Sequence, residues 1–122
     1  MSSTLFTPYK LGPVTLRNRT IRSAAFESMG KDFGPTRQLK DYHVAVARGG
    51  VGMTTLAYAA VCRSGLSFNK QLWLRPEIVP GLREITDAVH REGAAAAIQI
   101  GHCGNMTHWT TAGQMPIGAS TG

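Results

Sequence analysis

Apolar positions along the chain fall into short continuous runs separated by helical stripes. Residues 20–26 form a short, mostly apolar run that reads as a buried strand. Leu39, Tyr42 and Val46 then recur at i, i+3 and i+7, which is one face of a helix. Pro35 and Thr36 precede that stripe, with Thr36 as the expected N-cap, and Gly49-Gly50 ends it by permitting positive φ. Residues 51–61 form a continuous rather than an alternating run, as expected for a parallel strand covered on both faces. Pro80-Gly81 opens a second helix whose inner face is Leu82, Ile85 and Val89. Arg83, Asp87 and Arg91 lie four apart on its other side and are spaced to pair. Gly93 closes this helix, and residues 94–101 read as a third strand.

The remaining segments read as connections. Residues 1–18 form an extended lead-in broken by Pro8 and by a Gly12-Pro13 turn. Residues 28–35 are a loop, and so are residues 102–122. Residues 62–79 are too many for a simple connector, and loops of that length are usually functional or disordered. The order β-α-β-α-β with helical crossovers predicts an α/β fold with a parallel sheet. Either a doubly wound sheet or the beginning of an eight-stranded (β/α)8 TIM barrel fits. The first strand-to-helix loop has neither G-x-G-x-x-G nor a Walker A pattern, which disfavours a dinucleotide-binding first half.

The 122 residues allow one domain at most, so 1–122 is read as part of a single domain. An apolar fraction of 43% argues against wholesale disorder. No apolar run approaches the ~18 residues of a membrane span, and the start MSSTLFTPYK lacks a signal-peptide core. Cys62 and Cys103 form no disulfide framework and read as reduced thiols of a cytoplasmic protein. The net charge of +6 invites a nucleic-acid partner, but the basic residues are spread from Lys10 to Arg91 without the patch that mode requires. Arg17 and Arg19, on one face of an entering strand, serve as readily to cap the base of a barrel.

In either architecture ligands bind at the carboxyl ends of the parallel strands. Those ends carry Ala24, Ala25, Phe26, Glu27 and Ser28; Ala57, Tyr58, Ala59 and Ala60; and Gln99, Ile100, Gly101 and His102. Small residues there let a flat ligand approach the backbone. Gln99 offers a donor and an acceptor suited to a heterocycle edge, or else satisfies a buried backbone group. Glu27 reads as a general acid or base, or as a solvated loop carboxylate. Tyr58 is a core aromatic with its hydroxyl satisfied, or it lines a pocket. His102, Cys103 and His108 match no standard zinc spacing, so no metal is expected, and His43 and His90 read as structural.

Several segments, in order, resemble one family. Leu5-Phe6-Thr7-Pro8 and Leu16-Arg17-Asn18-Arg19 resemble the opening of the old yellow enzyme family of flavin-dependent oxidoreductases. Gly49-Gly50-Val51-Gly52-Met53 resembles that family's entry into its second strand, and residues 82–93 are similar to its second helix. Gln99-Ile100-Gly101-His102-Cys103-Gly104 looks like its Gln-Leu-x-His-x-Gly segment. Met115-Pro116-Ile117-Gly118-Ala119-Ser120 falls where members carry a Pro-x-x-Pro-Ser loop.

The resemblance implies a (β/α)8 barrel that holds FMN over the carboxyl ends of its strands. NADH or NADPH would supply a hydride, passed on to an activated alkene such as an enone or a dienoyl thioester. By position, Ala25, Phe26 and Glu27 would lie along the flavin, Tyr58 by its reactive edge, and Gln99 on the pyrimidine half. Tyr58, Gly101 and His102 would border the substrate pocket. Glu27 stands where many members place Thr or Cys, Gly101 replaces a frequent aromatic, and Asn105 a frequent Arg. Tyr58 resembles the dienoyl-CoA reductase and amine dehydrogenase branch. Any iron–sulfur cluster or FAD of that branch would belong to C-terminal parts outside these residues, as would the family's His pair.

A barrel of this type needs about 250 residues, and this chain supplies about three of its eight strands. The remainder of the barrel is therefore an expected partner, in cis or as another chain, and the chain alone is expected to lack turnover. The alternative is a non-catalytic split or degenerate barrel piece that acts by binding a partner chain.

Overall fold

The computed structural model describes residues 3–120. One turn of 3-10 helix, Thr4–Phe6, leads into an antiparallel hairpin of β1 (Tyr9–Leu11) and β2 (Val14–Leu16). The extended lead-in is thus a hairpin whose corner is Gly12, at φ 57°. Then come β3 (Ile21–Arg22), α1 (Arg37–Arg48), β4 (Met53–Ala60), β5 (Leu72–Trp73), α2 (Val79–Arg91), β6 (Ala95–Gly101) and the single-turn α3 (Trp109–Ala112). The first helix begins as its sequence predicts, because Thr36 Oγ1 accepts the Leu39 amide at 3.1 Å.

β3, β4 and β6 run parallel with β4 in the middle. β6 pairs with β4 along one edge up to Ala60–Gly101, so β5, which pairs with Ala59 and Ala60, lies on the edge shared with β3. The first strand is shorter than residues 20–26 promise, and further along the same edge Leu72 and Trp73 pair with Ala59 and Ala60 instead.

Both helices cover the same face of the sheet. Leu39 and Ala47 of α1, Ile85 and Val89 of α2, and Leu56 and Ala59 of β4 belong to one buried cluster. Consecutive parallel strands with a one-sided helical layer fit the beginning of a TIM barrel. The buried positions of α1 are Leu39, His43 and Ala47, one step around from the expected stripe, and Tyr42 is exposed. His43 goes inside because partners await it there. The charged outer positions of α2 do not pair along the helix as their spacing suggests. Ion pairs run between helices instead, from Lys40 to Glu84 at 2.6 Å and from Arg48 to Glu92 at 3.0 Å.

Arg17 ties the base together. Its guanidinium donates to the carbonyls of Ala47 at 2.5 Å, Val51 at 3.1 Å and Glu92 at 2.7 Å. Those oxygens end α1, lead into β4 and end α2, so one planar cation ties both helix ends to the entry of β4. Among the described residues no helix is long and apolar enough to cross a membrane.

Candidate functional site

The carboxyl ends of β3, β4 and β6 open onto a shared surface. Along β6, Ala96 and Ile98 pack toward the helical layer, so Gln99 and Gly101 present the opposite face. β4 carries a bulge there: Leu56 pairs with Ile98 and Ala59 with Ile100, leaving Ala57 and Tyr58 opposite Gln99 alone. The extra residue brings the Tyr58 ring beside Gly101, where a Cβ built on the glycine would meet it at 3.7 Å.

The loop after β4 secures Tyr58. Its hydroxyl lies 2.5 Å from Ser67 Oγ. The Ser67 amide and hydroxyl both donate to Gln71 Oε1, at 2.8 and 3.1 Å, and Gln71 is buried. Since Ser67 spends its proton on Gln71, the Tyr58 hydroxyl donates to Ser67. Phe68 from the same loop packs against Tyr58, with centroids 6.2 Å apart, and against Phe26, at 4.8 Å. Phe26 is nonetheless 76% exposed, an apolar plate at the mouth. Ser67, Phe68 and Gln71 escaped the sequence reading residue by residue, although the length of their loop singled it out.

Glu27 departs from its expected place. Rather than lying along a ring at the mouth, its carboxylate turns behind the strand ends, where the side chain is 2% exposed. Oε1 accepts the Ala57 amide at 2.7 Å. Oε2 stands 2.9 Å from Arg22 Nη1 and 2.6 Å from His43 Nε2. His43 meets Thr54 Oγ1 through Nδ1 at 2.7 Å, and Arg22 also donates to the Thr55 carbonyl and to Tyr42. Burial works to raise the Glu27 carboxyl, but hydrogen bonds from His43 and the Ala57 amide, with the pull of His43 and Arg22, prevail and hold it below its ordinary value. It is an ionised, fully engaged group.

His102 is exposed beyond β6. Its Nδ1 accepts the Gly104 amide at 2.9 Å and its Nε2 lies 3.2 Å from Ser64 Oγ. Gly65 backs its ring so closely that a Cβ would stand 2.8 Å from it. Cys62 and Cys103 are free thiols. Ala25 and Gln99 are exposed at the mouth, and among the described residues the Gln99 amide has no hydrogen-bond partner. An apolar plate at Phe26, a tethered phenol at Tyr58, small residues and a free amide edge suit a flat heteroaromatic group such as the FMN ring.

Residues 4–120 match the pattern that defines the NADH:flavin oxidoreductase / NADH oxidase family. The chain belongs to that family. It is 48% identical over 100 residues to a 4,4'-dithiodibutanoate disulfide reductase of Rhodococcus erythropolis, an alignment covering 82% of this chain and 25% of the relative. It is 45% identical over 115 residues to a probable N-methylproline demethylase of Rhizobium meliloti, covering 93% and 17%. The fold is similar to that of an old yellow enzyme homologue from Zymomonas mobilis, with a TM-score of 0.84 and 24% identity over 93% of this chain and 32% of that one. The chain therefore spans a third or less of each of these proteins, at the start of an old-yellow-enzyme-type barrel.

Proposed function

We propose that residues 1–122 are the N-terminal part of an FMN-binding barrel domain in a cytoplasmic NAD(P)H-dependent oxidoreductase that reduces an activated alkene, an enone or a dienoyl thioester. The family match over residues 4–120 carries the reading, because it coincides with a strand-end surface suited to a flavin. When bound, FMN would supply the acceptance and delivery of hydride. Gln99 would meet the donor and acceptor positions of the pyrimidine half. Ala25 and Phe26 would lie along the ring. Tyr58 would border the reactive edge, with its hydroxyl proton committed to Ser67 and its oxygen free to accept. Gly101 would leave room for substrate beside Tyr58, and His102 would stand at the pocket rim.

Glu27 has no part in that contact surface, since its carboxylate is spent behind the strand. The remainder of the barrel would cover Ile100, 56% exposed toward the helical layer, and the apolar side chains of Met106, Trp109 and Met115. The 122-residue chain by itself would then lack turnover. The test is NADH or NADPH oxidation with cyclohex-2-enone, first by the chain alone and then by the chain joined to the rest of the barrel. Turnover should appear only in the second. Ordinary enzyme rates from the chain alone, or a joined protein that binds no FMN, would refute the reading. Co-purification with a second barrel chain and no activity would favour the non-catalytic split piece.

A further inference from the structure

The Ala57 amide lies in the β4 bulge, opposite Gln99 and outside the regular ladder pairing of β4 with β6. A buried amide without a partner is costly, and here the partner comes from another strand end: Glu27 Oε1, at 2.7 Å. The carboxylate is itself fixed. His43, 0% exposed and anchored on Thr54, and Arg22, anchored on the Thr55 carbonyl, hold its other oxygen. Both anchors are residues of β4, three and two positions before Ala57. The network thus clamps the strand at Thr54, Thr55 and Ala57, and the next residue, Tyr58, is delivered to the mouth. Apolar residues at these positions would leave the bulge amide unpaired.

We propose that Glu27 is a positioning residue for Tyr58: its carboxylate, braced by His43 and Arg22, holds the Ala57 amide and so fixes where the Tyr58 ring stands on the ligand face. This rests on the FMN reading of that face, but the clamp can be tested independently of it. Glu27→Met keeps the side-chain length and removes the acceptor. Glu27→Asp keeps the charge for His43 and Arg22 and withdraws the acceptor by one methylene, so a folded variant is available if the methionine form is not.

In the complete FMN-loaded protein, amide hydrogen exchange at Ala57 should quicken roughly five- to tenfold in either variant, while Leu56 and Ala60 keep their protection. Exchange at Ala57 unchanged from wild type in a folded variant would overturn the proposal, whether or not FMN is bound. The second readout is a double-mutant cycle with Tyr58→Ala. Glu27→Asp should shift the visible flavin spectrum and raise KM for cyclohex-2-enone more than it lowers kcat, and both effects should vanish in the Tyr58→Ala background. Effects of equal size in both backgrounds would mean that Glu27 serves general stability, and the positioning role would fall. A wild-type protein that takes up no FMN would sink the reading of the face, while the Ala57 exchange result would still stand for or against the clamp.

Discussion

His43 Nε2 stands 2.6 Å from Glu27 Oε2, with the two side chains 0% and 2% exposed. The pair joins α1 to the end of the first barrel strand, and Arg22 completes it at 2.9 Å. Removing one member of such a buried pair leaves the others desolvated without compensation. Glu27→Leu should therefore lower the unfolding free energy by about 3–5 kcal/mol, read as a shift of the urea midpoint at neutral pH. A loss under about 1 kcal/mol would mean that His43 and Arg22 find water once the carboxylate is gone.

The same carboxylate sets an acid limb. Its folded pKa lies below the ordinary 4.5, so between the two values the unfolded chain binds more protons than the folded one. Its contribution is fully present above the ordinary value and is lost as pH falls through the lowered one. Urea midpoints measured from pH 7 downward should fall below about pH 4.5, and Glu27→Gln should flatten that fall. Glu84 is also held low, by Lys40, but it is exposed, so added salt should erase its share and leave that of Glu27.

Much of the architecture was legible in the chain, because Thr36, Gly49-Gly50 and Gly93 punctuate strongly and the run at 51–61 is continuous rather than alternating. The choice between barrel and doubly wound sheet was not, since both can open with the same β-α-β-α-β unit and part only in the strands that follow. At the site, the positions of Tyr58, Gln99 and Gly101 could be anticipated from strand ends. The direction of Glu27 could not. Which way a carboxylate turns just beyond a two-residue strand depends on His43 and Ala57, distant in sequence and brought near only by the crossover. Likewise, nothing in a single sequence marks Ser67 and Gln71 as the tether of Tyr58.

Arg17 offers a geometric prediction. Its three contacts end on carbonyls from three separate segments. A lysine ammonium is a point donor on a flexible stem and does not reproduce the planar fork. Arg17→Lys should recover little of the stability lost in Arg17→Met, with both falling by about 1.5–3 kcal/mol or more in thermal or urea unfolding, the worth of one charge-assisted bond. Full recovery by lysine would show that the positive charge at the helix ends matters and the fork does not.

Gly52 precedes β4 where Asn18 and Thr20 pass close by. A Cβ there would stand 2.5 Å from the Asn18 carbonyl oxygen and 2.9 Å from that of Thr20, both backbone atoms that cannot swing aside. Gly52→Ala must therefore shift the start of β3 against β4, where the Gly52 and Met53 amides bond the Thr20 carbonyl. The expected cost is about 1–3 kcal/mol, read as a lower melting temperature. An unchanged melting temperature would mean that the β2–β3 connection gives way freely.

Gln99 separates binding from folding. It is exposed and, among the described residues, has no hydrogen-bond partner, so Gln99→Leu should leave the stability of the flavin-free protein within about 0.5 kcal/mol. If its amide meets a donor and an acceptor on the pyrimidine half of FMN, the same change removes two neutral hydrogen bonds. At about 0.5–1.5 kcal/mol each, that is roughly a 5- to 150-fold rise in Kd. Flavin fluorescence quenching in the complete protein measures it directly. Gln99→Glu sharpens the test, because a carboxylate keeps the acceptor and loses the donor. It should weaken binding as well, and more at neutral than at acidic pH, where protonation restores a donor. Loss of folding in Gln99→Leu without FMN would instead assign the residue to the framework, and an unchanged Kd would remove it from the flavin surface.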